Sequence, residues 1–261
     1  MRRIAFINEK GGSCKTTLCV NVGAWLARRR GLRVLVADLD TQGHAGKSLG
    51  VDVRGLSPTV KDLLLGSAGI DEVVRHTAVP NLDLLPANKD LASFPEEAAA
   101  YPDRAEKLRL ALDALPAERW DVVLVDSPPS LSLVTANVLR AATEIVVPVA
   151  LTYLALDGCA EIVQSLARER EARGDAPRLA MVVPALYRKT QLADEILAKL
   201  RERFASEVSR TVLGYSVKID EAQSHGLTIF EYAPSSPGAG ALASIAEELL
   251  ARDPARDSAA A

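Results

Sequence analysis

Short runs of aliphatic and β-branched residues alternate along the chain with longer stretches whose apolar positions recur at helical spacing. The runs Arg3–Asn8, Arg33–Asp38, Asn81–Leu85, Asp121–Asp126, Glu144–Val149 and Arg178–Pro184 predict strands. Most are apolar without alternation, as strands buried on both faces are, and a parallel sheet covered by helices requires such strands. Helices are predicted over Lys15–Arg30, Asp103–Leu115, Leu131–Ala142, Leu156–Arg173, Gln191–Phe204 and Gly240–Arg252; in the fifth, Leu192, Ile196 and Leu200 share a face. The pattern predicts an α/β fold with a doubly wound, mostly parallel sheet and helices on both faces. Between Gly43 and Val79 the period is lost, because Gly46, Gly50, Gly55, Gly66 and Gly69 interrupt it. That stretch is expected to be a loop carrying one short helix near Val60–Leu65. Long loops in compact domains are often functional, and this one follows a pair of aspartates.

Length and composition narrow the picture. A chain of 261 residues, 48% hydrophobic, can bury a substantial core. One domain over residues 1–252 is expected, with the low-complexity tail 253–261 disordered. The net charge of −3 excludes a protein that coats nucleic acid over its whole surface and leaves room for a local basic patch. Aromatic content of 4% supplies little for stacking single-stranded bases. No apolar run approaches the ~20 residues of a membrane span, and Met1-Arg2-Arg3 leads straight into a strand, so neither export nor insertion is expected. Cys14, Cys19 and Cys159 form no CxxC pair or His/Cys cluster and read as free thiols in a reducing cytosol.

The first predicted strand runs into Asn8-Glu9-Lys10-Gly11-Gly12-Ser13-Cys14-Lys15-Thr16-Thr17, after which a helix begins. Glycines let backbone approach a phosphate, successive N–H groups and the helix N-terminus attract the anion, Lys15 neutralises charge, and the Thr16 hydroxyl can hold Mg²⁺. The ordinary GxxxxGK[ST] pattern fails, because Glu9 and Cys14 occupy its glycine positions; the match is to the deviant form KGGxxK[ST]. Asp38 and Asp40 stand at alternate positions at the end of the second strand, so their side chains are expected on one side of the chain, at the edge where parallel sheets bind ligands. Asp126 ends the Val122–Val125 run and precedes Ser127-Pro128-Pro129.

These three segments, Lys10–Thr17, Asp38–Gly43 and Val125–Pro129, resemble in order the ATP-site motifs of the ParA/Soj/MinD family of deviant Walker-A P-loop ATPases, the SIMIBI type, and most of all its ParA/Soj members. Likeness continues through Ile219–Gly226 and Tyr232–Ala239, hence over nearly the whole chain. The resemblance implies ATP and Mg²⁺ as cofactors, with residues Lys10, Gly11, Gly12, Ser13, Cys14, Lys15, Thr16 and Thr17 around the phosphates. It implies Mg²⁺ on Thr16 and, through water, on Asp126. Lys10 would reach the partner's phosphates across a homodimer with ATP at the interface, and Asp40 would orient the attacking water beside Lys15. Slow hydrolysis, stimulated by a ParB-like or cargo-adaptor protein, would then time the positioning of a chromosome, plasmid or protein cargo. The chain departs from the family pattern at Cys14, where a small glycine is usual, at Thr41, where proline is frequent, and at Gly214-Tyr215-Ser216, where a Pro-Arg-Asn-like segment often stands. Cys14 leaves two readings open: a redox-sensitive thiol acidified by the helix N-terminus, or a packing residue.

A basic surface in the C-terminal third, with Arg188, Lys189 and Lys218 first, is expected from the resemblance to bind nonspecific DNA, although Asp194, Glu195, Glu202 and Glu207 dilute its charge. Acidic residues on the polar face of the last helix oppose an anionic membrane. A cytoplasmic, nucleoid-associated protein is expected. Three other readings are a nucleotide-gated regulatory or scaffold protein with negligible hydrolysis, a MinD-like positioning ATPase on another matrix, and an electron donor like the nitrogenase iron protein; Cys159 has no evident companion for the cluster that the last needs.

Overall fold

The computed structural model describes residues 1–116, 118–130, 132–152, 164–171, 174 and 176–253. Its strands are β1 (Arg2–Phe6), β2 (Val34–Asp38), β3 (Arg75–His76), β4 (Leu82–Leu85), β5 (Val122–Asp126), β6 (Glu144–Ala150) and β7 (Arg178–Ala185). They form one sheet in the order β3-β4-β2-β5-β1-β6-β7, parallel throughout except for β3 against β4. The six predicted strands all form, within a residue or two of their expected ends.

Successive strand residues feed opposite sides. Ala5, Leu35, Ala37, Val123 and Val125 join one apolar cluster with Phe94, Leu108, Leu112 and Val138. Ile4, Phe6, Val34, Val36 and Leu124 join another with Leu18, Val22, Leu26, Leu242 and Ile245. Both faces are therefore covered, and this is why the strands read as unbroken apolar runs.

The helices are α1 (Lys15–Arg30), α2 (His44–Ser48), α3 (Val60–Leu65), α4 (Ile70–Val73), α5 (Phe94–Glu97), α6 (Lys107–Asp113) and α7 (Leu133–Ala141), then α8 (helical residues 164–171), α9 (Gln191–Phe204), α10 (Val217–Ser224), α11 (Ile229–Tyr232) and α12 (Pro237–Ala251). The remainder of the helix expected over Leu156–Arg173, with Cys159, lies outside the described residues, as does the tail from residue 254.

Three expectations change. The stretch 43–79 carries α2, α3, α4 and β3 rather than one helix in a loop. Local capping explains much of this: the Thr59 N–H donates to Asp62 at 2.7 Å and the Gly69 N–H to Glu72 at 2.7 Å. Helix α6 starts later than expected, because the buried Asn137 on α7 accepts the Leu108 N–H at 3.1 Å and donates to the Arg104 carbonyl at 2.8 Å. Helix α12 starts earlier, at Pro237, since the Ser236 hydroxyl accepts the Ala239 N–H at 3.2 Å and proline suits a first turn.

Candidate nucleotide site

The turn between β1 and α1 is fixed at its entrance by Asn8, which is buried. Its side-chain amide donates to the Pro148 carbonyl on β6 at 2.6 Å and accepts the Lys10 N–H at 2.9 Å. Gly12 (φ 70°) and Cys14 (φ 69°) take left-handed conformations, and no side chain caps the start of α1. The turn amides and the first N–H groups of α1 thus border an open cavity of about 570 Å³. Gly11 through Thr17 form its floor, Asp40, Gln42, His44, Lys47 and Ser48 one wall, and Gln223 and Ser224 of α10 another, with Pro129 beside them.

Beneath the turn, the Thr16 hydroxyl donates to Asp126 Oδ2 at 2.6 Å. Asp126 is fully buried, and its Oδ1 has no hydrogen-bond partner. Lys15, almost wholly buried, reaches the Lys10 carbonyl at 3.3 Å. Burial pushes the Lys15 ammonium down against the pull of Asp126 and Asp40, and pushes the Asp126 carboxyl well above the usual carboxylate range, with Asp38 adding to the effect. A buried carboxyl with one free oxygen next to a hydroxyl is a donor set that a divalent cation completes, drawing Asp126 back to its ionised form. Among the described residues no cluster of three or more His, Cys, Asp or Glu is arranged to hold a metal. One hydroxyl and one carboxylate suit Mg²⁺, which keeps waters and phosphate oxygens as its other ligands.

The two aspartates after β2 part company. The strand ends at Asp38, whose carboxylate turns inward and accepts N–H groups from Asp40 and Ala45, both at 3.0 Å, and from Gly46 at 3.4 Å. Burial raises Asp38 to about 7, opposed by these bonds. Asp40 lies beyond the strand, lines the cavity and accepts the Gln42 N–H at 2.9 Å. The two differ in burial and role: Asp38 is enclosed and holds the turn that presents Asp40 at the cavity.

Lys10 turns away from its own cradle, its ammonium donating to Thr152 at 2.8 Å. The thiol of Cys14 is pushed up to about 11, chiefly by burial and then by Asp220, with Lys15 opposing. Burial opposes the acidification that a redox-sensitive thiol needs, and Cys14 packs against the apolar cluster on the α1 side of the sheet. The sequence reading missed Gln223, whose amide donates to the Thr17 hydroxyl at 2.9 Å and ties α10 to the start of α1. Its signal lay in the Ile219–Gly226 segment, which carried the family likeness without an assigned role.

The proposed DNA contacts stand apart from the cavity. Arg188 and Lys189 are exposed in the turn after β7, where Tyr187 bridges to Gly214. The Arg188 guanidinium lies 4.2 Å from the Tyr215 ring centroid, and Lys218 is paired with Glu221 at 2.8 Å. Glu221 therefore compensates part of the charge expected of Lys218.

A strand-turn-helix phosphate cradle at the C-terminal edge of a parallel sheet, over a Lys-Thr pair and a strand-end aspartate, defines a P-loop nucleotide-binding protein. A family model described as an AAA domain matches residues 1–175. The chain is 42% identical over 254 residues to the chromosome-partitioning ATPase Soj of Thermus thermophilus, covering 97% of this chain and 96% of that one. It is 37% identical over 253 residues to Soj of Treponema pallidum, covering 97% and 98%. A solved structure described as cobyrinic acid a,c-diamide synthase of Mycobacterium smegmatis, with bound ADP and magnesium, superposes with a TM-score of 0.82 at 31% identity, covering 96% and 94%. The chain belongs to the ParA/Soj/MinD family of P-loop ATPases.

Proposed function

We propose that this chain is a partitioning ATPase that binds Mg-ATP, pairs with a second copy over the nucleotide, binds DNA without sequence preference and hydrolyses ATP slowly. The observation that carries the nucleotide reading is the buried Thr16–Asp126 contact with its free carboxylate oxygen, set under the turn that Lys15 closes. The names of the Soj relatives support the partitioning role.

In this reading the turn amides and the N-terminus of α1 bind the phosphates, and Lys15 neutralises the β- and γ-phosphate charge. Thr16 and, through water, Asp126 hold Mg²⁺, which supplies charge neutralisation on the transferring phosphoryl group. Asp40, held by the Asp38 turn, orients the attacking water. Lys10, already outside its own cradle, serves the site of the second copy. Positioning and charge neutralisation account for most of the rate gain in phosphoryl transfer, so a site completed only by a partner turns over slowly when alone. A ParB-like or cargo-adaptor protein is the stimulating partner, and the cytoplasm, on the nucleoid, is the place of action. Residues 1–252 act as one domain.

The test is sedimentation of the parent chain, Lys10→Ala and Asp40→Ala with ADP or ATP. The parent is expected to sediment as a dimer with ATP and as a monomer with ADP. Asp40→Ala should keep the ATP dimer while hydrolysis slows about 10²-fold or more. Lys10→Ala should bind nucleotide and stay monomeric. A Lys10→Ala chain that dimerises with ATP as the parent does overturns the role given to Lys10; a parent chain with no turnover even as a dimer makes the protein a nucleotide-gated scaffold.

A further inference from the structure

Next to the nucleotide cavity lies a second cavity, of about 510 Å³, whose lining includes Gln42, Lys47, Val53, Arg54, Lys89 and Asp90. Three cationic residues, Lys47, Arg54 and Lys89, line it with one acidic residue, Asp90, and none of the three forms an ion pair with that carboxylate. Arg54 and Lys89 are exposed, and neither has a salt bridge among the described residues, whereas Arg2, Arg3, Arg30 and Arg33 are all paired. The Asp52 carboxylate next in the chain is turned to the Arg54 backbone N–H, at 3.0 Å. The volume falls within the range of small-molecule sites, and a concave cleft of that size excludes a DNA duplex. Paired lysine and arginine side chains without carboxylate partners match the oxygens of a phosphate group.

We propose that this second cavity binds a small phosphate-bearing ligand, and that its occupancy acts on the turn that presents Asp40. Gln42 and Lys47 line both cavities. The Lys47 ammonium donates to the Gln42 carbonyl at 2.7 Å, and the Gln42 N–H donates to Asp40 Oδ1 at 2.9 Å. A ligand phosphate competes for that ammonium and frees the Gln42 carbonyl, on the same residue whose N–H holds Asp40. Val53 provides a second, mechanical link. A Cβ at Gly43 would stand 2.7 Å from one Val53 methyl, and a Cβ at Gly46 2.5 Å from the other. The Val53 side chain thus packs directly on the backbone at Gly43 and Gly46, a contact through which a shift of the Arg54 segment reaches the turn. The effect on turnover rests on the ATPase reading above; the binding site does not.

Pyrophosphate is the probe, titrated calorimetrically into the intact chain saturated with Mg-ADP, in parallel with a further titration of ADP into the same saturated complex. One further equivalent of pyrophosphate is expected. The Arg54→Ala/Lys89→Ala chain, altered at exposed positions outside the nucleotide cavity, should bind pyrophosphate at least tenfold more weakly while keeping its ADP affinity within twofold and its thermal midpoint. A second equivalent of ADP identifies a nucleotide as the ligand, and pyrophosphate binding alone identifies a free oligophosphate. In the parent chain, bound pyrophosphate should slow ATP turnover several-fold, an effect absent from the double variant. No further equivalent, or equal affinity in the double variant, overturns the second site. A chain with the site but no ATP turnover leaves it standing and overturns the ATPase reading instead.

Discussion

Cys14 occupies a left-handed position, φ 69°, where a β-carbon is strained by about 1–2 kcal/mol. Replacing it by glycine relieves that strain but adds freedom to the unfolded chain, which offsets about 0.4–1 kcal/mol. Cys14→Gly also gives up the packing of this side chain against the core, so the effects nearly cancel and stability should stay within about 1 kcal/mol of the parent, read as the denaturant midpoint at unchanged slope; a loss of more than about 2 kcal/mol refutes the strain argument. The thiol, pushed up to about 11, carries roughly one thiolate in a thousand at pH 8, against about a quarter for an ordinary cysteine. Alkylation by iodoacetamide should accordingly run about two orders of magnitude slower than in a denatured control. Because the folded chain holds this proton more tightly than the unfolded one, the thiol's contribution to stability is complete below about pH 9 and is lost as pH rises toward about 11. Lys15 is the counterpart in the site. Lys15→Ala removes charge-assisted bonds of about 1.5–3 kcal/mol each, so ATP should bind at least about tenfold more weakly, and unchanged affinity in a calorimetric titration would remove Lys15 from the cradle.

At the scale of elements, the cavity depends on how closely α2 approaches α10. Gly226 (φ 66°) closes the turn after α10, and a Cβ there would stand 2.8 Å from the Gly50 Cα and 3.3 Å from the Lys47 carbonyl, both backbone. Neither neighbour can rotate aside. Gly226→Ala is expected to cost at least about 2 kcal/mol, to lower the melting temperature by several degrees, and to weaken nucleotide binding by parting Lys47 and Ser48 from Gln223 and Ser224. A melting temperature within a degree of the parent would show that the two helices give way freely. The same junction marks the limit of what the sequence discloses. Strands and the Lys10–Thr17 cradle are legible because two-sided burial and phosphate binding each impose a local pattern. The 43–79 stretch is legible only in part: α3 and α4 are capped locally, at Thr59 and Gly69, but the turn into α2 is ordered by tertiary contacts, with Asp38 accepting the Ala45 and Gly46 N–H groups and Gly43 and Gly46 packed against Val53. Asp38 itself read as the twin of Asp40, since alternation along a strand says nothing of where the strand stops. The tie from Gln223 to Thr17 joins residues 206 positions apart, beyond any local pattern.

For the whole molecule, the decisive question is how a chain of net charge −3 could hold DNA. Only a local patch can do so, and the surface around Arg188 and Lys189 is weaker than its composition suggests. Lys218 is paired with Glu221, and Lys189 shares a shallow depression with Asp194 and Glu195. One copy therefore offers few free phosphate contacts. In the proposed dimer, two copies fixed over ATP would double them and the second set would engage at high effective concentration, so DNA binding should appear with ATP and vanish with ADP. The predicted signature is retention of duplex DNA of arbitrary sequence by the ATP dimer at low salt, falling steeply between about 50 and 200 mM salt. Arg188→Ala/Lys189→Ala should weaken binding to all sequences alike and flatten the slope of log affinity against log salt, each lost phosphate contact by about 0.9 per copy, while dimerisation with ATP is untouched. Glu221→Gln provides the opposite arm: freeing the Lys218 ammonium should strengthen DNA binding and steepen that slope. If the first variant holds DNA as the parent does and the second changes nothing, the patch lies elsewhere; if the parent's ATP dimer retains no DNA at low salt, the matrix on which this ATPase works is not DNA.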